Sequence, residues 1–144
     1  MNQDRNVLIA ANWKQNQLWD ECEAFVAQLK GLCPDYWKPD MERRVELLIC
    51  PAFTYIGILG NLLDDAEVYI GAQDVSQYGG GAYTGDISAK MLSDSGCDFC
   101  IVGHSERRHV FGDTDAVVAA KLALLQAEEI VPILCVGELL EERE

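Results

Sequence analysis

Phe99-Cys100-Ile101-Val102-Gly103-His104-Ser105-Glu106-Arg107-Arg108 is the stretch on which the fold turns. Phe99 to Val102 is a short, wholly apolar run, the pattern of a strand buried on both faces of a parallel sheet. Gly103 ends it, and an imidazole, a hydroxyl and a carboxylate follow at once. In parallel α/β sheets the ligand binds beyond the carboxyl ends of the strands. A histidine held there can give a proton to, or take one from, a small polar substrate.

The same alternation extends in both directions. Val7–Ala11 reads as a first strand, and Asn12-Trp13-Lys14 occupies the loop after it. Trp19, Cys22, Phe25, Val26 and Leu29 recur at helical spacing, and Gly31 and Pro34 close that helix near Leu32. Residues 35–44 are polar and read as a loop. Val45–Cys50 is a second strand stopped by Pro51, Tyr55–Leu63 a short helix, and Val68–Ala72 a third strand. A long loop, Gln73–Gly85, carries Gly79-Gly80-Gly81. Asp86 or Thr84 is the expected cap of a helix that runs to Ser95 and ends at Gly96. Asp113 or Thr114 caps an alanine-rich helix through Glu129. Val131–Val136 is a fifth strand, and Glu138–Glu144 reads as the opening of another helix. The order β-α-β-α-β-α-β-α-β predicts one α/β domain over residues 1–144, a parallel sheet with right-handed crossovers. An open doubly wound sheet and part of a (β/α)8 barrel both fit, and periodicity does not choose between them.

Composition bounds the function. The 144 residues are 49% hydrophobic and 24% charged, ordinary for a globular protein. No apolar run approaches the roughly 18 residues of a membrane span. Asp4 and Arg5 ahead of a short apolar run make a poor secretory signal, so the expected location is cytoplasmic. A net charge of −13 argues against nucleic acid as a partner. Any anion site must then be local, built from a lysine and backbone N–H groups. The six cysteines include Cys100 and Cys135 within apolar runs, the pattern of small hydrophobes in a reduced protein. Cys97 and Cys100 are spaced as a CxxC. If the chain is already extended at Cys97, the two thiols face opposite ways and cannot chelate together. No metal is expected.

Lys14 follows the first strand as His104 follows the fourth. It is either a fixed charge facing a reacting oxygen or an ordinary exposed lysine. Asn12 on the same loop could bond the lysine or a substrate. Ser105 could cap the turn after His104, Glu106 could anchor Lys14, and Arg107 and Arg108 could meet carboxylates at the rim. The triple-glycine loop does not match a phosphate-binding fingerprint and reads as a protruding turn. Val75, Tyr78 and Tyr83 on it would be costly to expose, so it is expected to dock into a partner.

Five strings together resemble triosephosphate isomerase. They are Ala11-Asn12-Trp13-Lys14-Gln15-Asn16, Gly71-Ala72-Gln73-Asp74-Val75-Ser76, Gly81-Ala82-Tyr83-Thr84-Gly85-Asp86-Ile87-Ser88, Ile101–Arg108 and Cys135-Val136-Gly137-Glu138, in that family's order and spacing. The resemblance implies part of a TIM (β/α)8 barrel, about five strands and four helices of it. It also implies interconversion of dihydroxyacetone phosphate and glyceraldehyde 3-phosphate without a cofactor. Lys14 maps to the family's catalytic lysine, His104 to its neutral electrophile, Asn12 to a substrate-binding residue, and Glu106 to a supporting glutamate with Ser105 beside it. Thr84, with Tyr78 and Tyr83, maps to the dimer loop. Ala11, Asp74, Tyr83 and Asp86 stand where the family usually has glycine, asparagine, phenylalanine and glutamate. The family's basic glutamate string and its later phosphate loops have no counterpart in residues 1–144. The expectation is therefore an electrophilic half-site, inactive alone, with a homo-oligomer forming through loop 73–85 and the open strand edges. A non-catalytic, self-associating half-barrel is the second reading.

Overall fold

The computed structural model describes residues 6–38, 43–138 and 143. Five parallel strands, β1 (Val7–Asn12), β2 (Val45–Cys50), β3 (Tyr69–Ala72), β4 (Phe99–Val102) and β5 (Val131–Leu134), form one sheet in the order in which they occur along the chain. The register pairs Asn12 with Cys50, Ala72 with Cys100, and Val102 with Leu134. All five strands therefore end at one rim, and each loop that leaves a strand starts there.

The connecting helices are α1 (Trp19–Leu32), α2 (Ile56–Leu62), α3 (Ala89–Asp94), α4 (Ser105–His109) and α5 (Asp115–Ala127). Cys22 and Val26 of α1, Ile56 and Leu59 of α2, Leu92 of α3, and Val118 and Leu125 of α5 share one core with Ile49, Ile70, Ala72, Cys100 and Val102 of the strands. The alternate strand residues Leu48, Cys50 and Ile101 form a second cluster that contains no helix residue, flanked by Phe99, Ile133 and Cys135. The period of two along each strand thus splits the sheet into a helix-covered face and a face on which, among the described residues, no helix packs. Gly71 sits on the tight part of β3, where an added Cβ would lie 2.9 Å from Cys50 Sγ and 3.0 Å from the Phe99 carbonyl oxygen.

The outer strands are open. Val7 and Ile9 on β1 are 57% and 54% exposed, and Val131 on β5 is 51% exposed. Residues of this kind at a sheet edge ordinarily lie under a neighbour.

Several local expectations are corrected. Ser88, not Asp86 or Thr84, caps α3, its Oγ accepting from the Met91 amide. Asp86 instead accepts from the Ser76 hydroxyl. Ser105 does not cap the turn after β4. His104 does, through Nδ1, and a fifth helix, α4, starts there. Asn12 belongs to β1 and not to the loop after it, and β5 ends at Leu134 instead of Val136. Pro34–Trp37, within the expected loop, forms a 3-10 turn. Thr114 caps α5 as expected. Helix formation over 138–144 lies mostly outside the described residues.

The end of α5 yields a prediction. Ile130 N–H donates to the Leu125 carbonyl and Glu129 N–H to that of Gln126, a Schellman closure with Glu129 in the left-handed region at φ 58°. Only glycine adopts that conformation freely, and Glu129 is exposed. Glu129→Gly is expected to stabilise the fold by about 0.5–1 kcal/mol, measured as a rise in Tm of about 2–4 °C.

Candidate active site

The loop after β1 is locked by groups from two other strands. Trp13 N–H donates to the Cys50 carbonyl at 3.1 Å. The Gln73 side-chain amide, just beyond β3, donates to the Lys14 carbonyl at 2.8 Å and to that of Cys50 at 2.9 Å. Asn12 Oδ1 accepts from the Lys14 amide at 2.9 Å. Trp13 packs edge-on against Phe25 of α1, and Asn16 bonds its carbonyl. Between these ties Lys14 is held at φ 55°. A non-glycine residue in that region is strained by about 1–2 kcal/mol, and such strain persists where the surroundings over-determine it.

The loop after β4 meets it. Lys14 Nζ lies 2.6 Å from Glu106 Oε1. That hydrogen bond holds the Glu106 carboxyl below the usual glutamate range against the opposing effect of desolvation, and the Lys14 charge acts in the same direction. His104 Nδ1 accepts from the Glu106 amide at 3.2 Å, which in the neutral ring assigns the proton to Nε2. Gly103 at φ 69° makes the turn. Its missing side chain leaves room for the Arg108 guanidinium, which would lie 2.9 Å from an added Cβ and which donates to the Gly103 carbonyl at 2.8 Å.

Asn12, Lys14, Gln73, His104 and Glu106 all line one cleft of about 620 Å³ at the strand rim, with Phe53 and Phe111 as apolar walls. The arrangement supplies an ammonium group and an imidazole N–H at one concavity. Together these can polarise a carbonyl and hold the oxyanion that forms. Ser105 is exposed beside them.

The other expected residues lie further off. Tyr78 and Tyr83 stack on each other at 3.8 Å across the triple-glycine turn, and Thr84 is exposed beside them. Val75, expected to be covered by a docking partner, is instead buried in the chain's own main core. Cys97 and Cys100 are both buried in that same core, because the strand begins only at Phe99 and the alternation does not reach back to Cys97. All six cysteines are free thiols. Burial pushes Cys50 and Cys97 up to about 12, which leaves them as inert thiols. Among the described residues no His, Cys, Asp or Glu cluster could hold a metal ion, and no helix is long and apolar enough to cross a membrane.

Sequence reasoning assigned no role to Gln73, although it follows β3 directly at the same rim. It also missed the ion cluster of Asp74, Arg107, Asp113 and Lys121, of which Asp74 and Arg107 reach the cleft wall. Arg107 and Arg108 do meet carboxylates, as expected, at Asp74 and Asp115.

A family model for triosephosphate isomerase matches residues 7–144. The triosephosphate isomerase of Thermus thermophilus is 48% identical over 140 residues, covering 97% of this chain and 53% of that protein. That of Endomicrobium trichonymphae is 44% identical over 140 residues, 97% of this chain and 54% of that protein. A crystal structure of triosephosphate isomerase from Bartonella henselae superposes with a TM-score of 0.83 at 34% identity, covering 96% of this chain and 54% of that one. The chain thus spans about half the length of the curated relatives it matches. Its five-stranded sheet is the curled half of a (β/α)8 barrel. The chain belongs to the triosephosphate isomerase family.

Proposed function

We propose that residues 1–144 supply the electrophilic half of a triosephosphate isomerase site, acting on dihydroxyacetone phosphate and glyceraldehyde 3-phosphate. The observation that carries this reading is the convergence of Lys14 and His104 on one cleft, fixed by the 2.6 Å contact from Lys14 to Glu106.

In this reading the substrate carbonyl lies between the two groups. His104 donates from Nε2 to the carbonyl oxygen, and Lys14 stabilises the negative charge that grows there as the enediolate forms. Asn12 keeps Lys14 in place from below. The hydrogen on carbon must be removed by a carboxylate base. Glu106 is already engaged by Lys14 and is not that base; in this reading the base and further phosphate contacts come from the part of the family's fold that residues 1–144 do not span. A net charge of −13 repels the phosphate at long range, so Lys14 also acts as the local counter-charge.

The partners follow from the same reading. Loop 73–85 presents the stacked Tyr78 and Tyr83 to a second copy, with Thr84 at the contact. The exposed edges at β1 and β5 associate with further strands. A purely structural, self-associating half-barrel is favoured by one observation, the exposure of apolar side chains on both edge strands.

Three outcomes are expected. Mixed with the complementary C-terminal half of the Thermus thermophilus relative, the chain regains isomerase activity in a coupled assay, and His104→Gln lowers it about 100- to 1000-fold. Retention of full activity by that variant would sink the proposal. Second, Lys14→Met moves the Glu106 titration, followed by 13C NMR, upward toward the ordinary glutamate value. The sign follows from the depressed carboxyl: the Lys14–Glu106 pair is complete above that value and lost as pH falls through it. Third, Tyr78→Ser with Tyr83→Ser lowers self-association in sedimentation velocity without lowering Tm. An unchanged distribution of species removes the loop from the interface.

A further inference from the structure

Lys121 is a charged side chain that the proposed chemistry leaves unused, and it is only 3% exposed. From α5 it reaches between two segments. Nζ donates to both Asp74 oxygens, at 2.7 and 3.0 Å, just beyond β3, and to Asp113 Oδ2 at 2.5 Å, just ahead of α5. Arg107 of α4 completes the cluster, its Nε 3.0 Å from Asp74 Oδ2 and 3.7 Å from Asp113 Oδ2. Two cations and two carboxylates cancel, which is the condition for burying any of them. Arg107 Nε makes no aligned hydrogen bond there. Lys121 is the member that fixes those carboxylates by directional bonds.

The consequence lies one residue along the chain. Helix α4 has five residues and none of them is fully buried, so apolar core packing contributes little to its orientation. Its side-chain ties run through the two arginines: Arg107 to Asp74 and Asp113 and over the Phe111 ring, and Arg108 to Asp115 and to the Gly103 carbonyl. The same helix carries Glu106, which meets Lys14 with its carboxylate and His104 with its amide.

We propose that Lys121 is a positioning residue. By holding Asp74 and Asp113 it anchors Arg107 and so fixes the rotation of α4. That rotation delivers Glu106 to Lys14 and to His104. This inference rests on reading Lys14 and His104 as the reacting pair, but its test involves no turnover, so the two ideas fail separately.

The test is NMR on the whole 144-residue chain, reading the Glu106 carboxyl by 13C and the His104 ring by 15N against pH, with Tm for each variant. Lys121→Met leaves one carboxylate in surplus and is expected to lower Tm sharply. Lys121→Met with Asp113→Asn removes one charge of each sign and keeps the Arg107–Asp74 pair. This double variant is expected to regain most of the lost Tm, while Glu106 titrates higher and the His104 ring nitrogens lose the shift difference of a fixed tautomer. Lys30→Met, at a remote ion pair with Asp65, leaves both signals unmoved. A folded double variant in which Glu106 titrates and the His104 ring nitrogens resonate as in the unaltered chain would reduce Lys121 to a fold stabiliser and overturn the proposal. Should the double variant not fold, Lys121→Gln with Asp113→Asn is read in the same way. A raised Glu106 titration supports the clamp, and an unmoved one overturns it.

Discussion

The in-register parallel pairing of β1 through β5 governs everything that happens at the rim. Because Asn12 pairs with Cys50, and Val102 with Leu134, the strands end at a common level and the loops after them are neighbours in space. Hydrogen bonds then run sideways from loop to loop. Gln73 reaches the Lys14 and Cys50 carbonyls from the end of β3, and Glu106 reaches the Lys14 ammonium from the turn after β4. A shift of one residue in any pairing would exchange the two faces of that strand and carry its loop out of reach.

The rim is made precise by polar ties rather than by packing. Lys14 stays in a left-handed backbone conformation because its amide and its carbonyl are each claimed by a side chain from the rim, Asn12 and Gln73. Helix α4 has no fully buried residue and is held by its arginines. Below it, a neutral set of two cations and two carboxylates joins the loop after β3 to α4 and α5. Such sets confer geometry more readily than stability, since desolvation offsets much of their attraction. That balance suits a site whose chemistry depends on where one ammonium and one imidazole stand.

Away from the rim, the two faces of the sheet differ in kind. The helix-covered face has a continuous core from Cys22 to Ile130. Among the described residues the other face has a cluster of three buried side chains, and both edge strands show apolar residues to solvent. Half of a barrel has this form. Its outer layer closes upon itself within β/α units, while its inner layer needs strands from both sides.

Much of this was legible in the chain alone. The alternation of apolar runs and helical stripes determined a parallel α/β sheet, because strand and helix periods differ and the crossovers have one hand. Residue types at strand ends singled out Lys14, His104 and Glu106, since such sheets place ligands there. The choice of cap was not legible. Thr84, Asp86 and Ser88 all suit a helix N-terminus, and only the position of the chain let Ser88 reach the Met91 amide. Nor did periodicity say whether the sheet stays open or curls. That depends on how the helices pack along one face, a property of contacts far apart in sequence. The pairing of Lys121 with Asp74, 47 residues away, is of the same kind. A lysine in a helical stripe is ordinarily solvated, and only the folded chain, by burying it, gave it two carboxylates to hold.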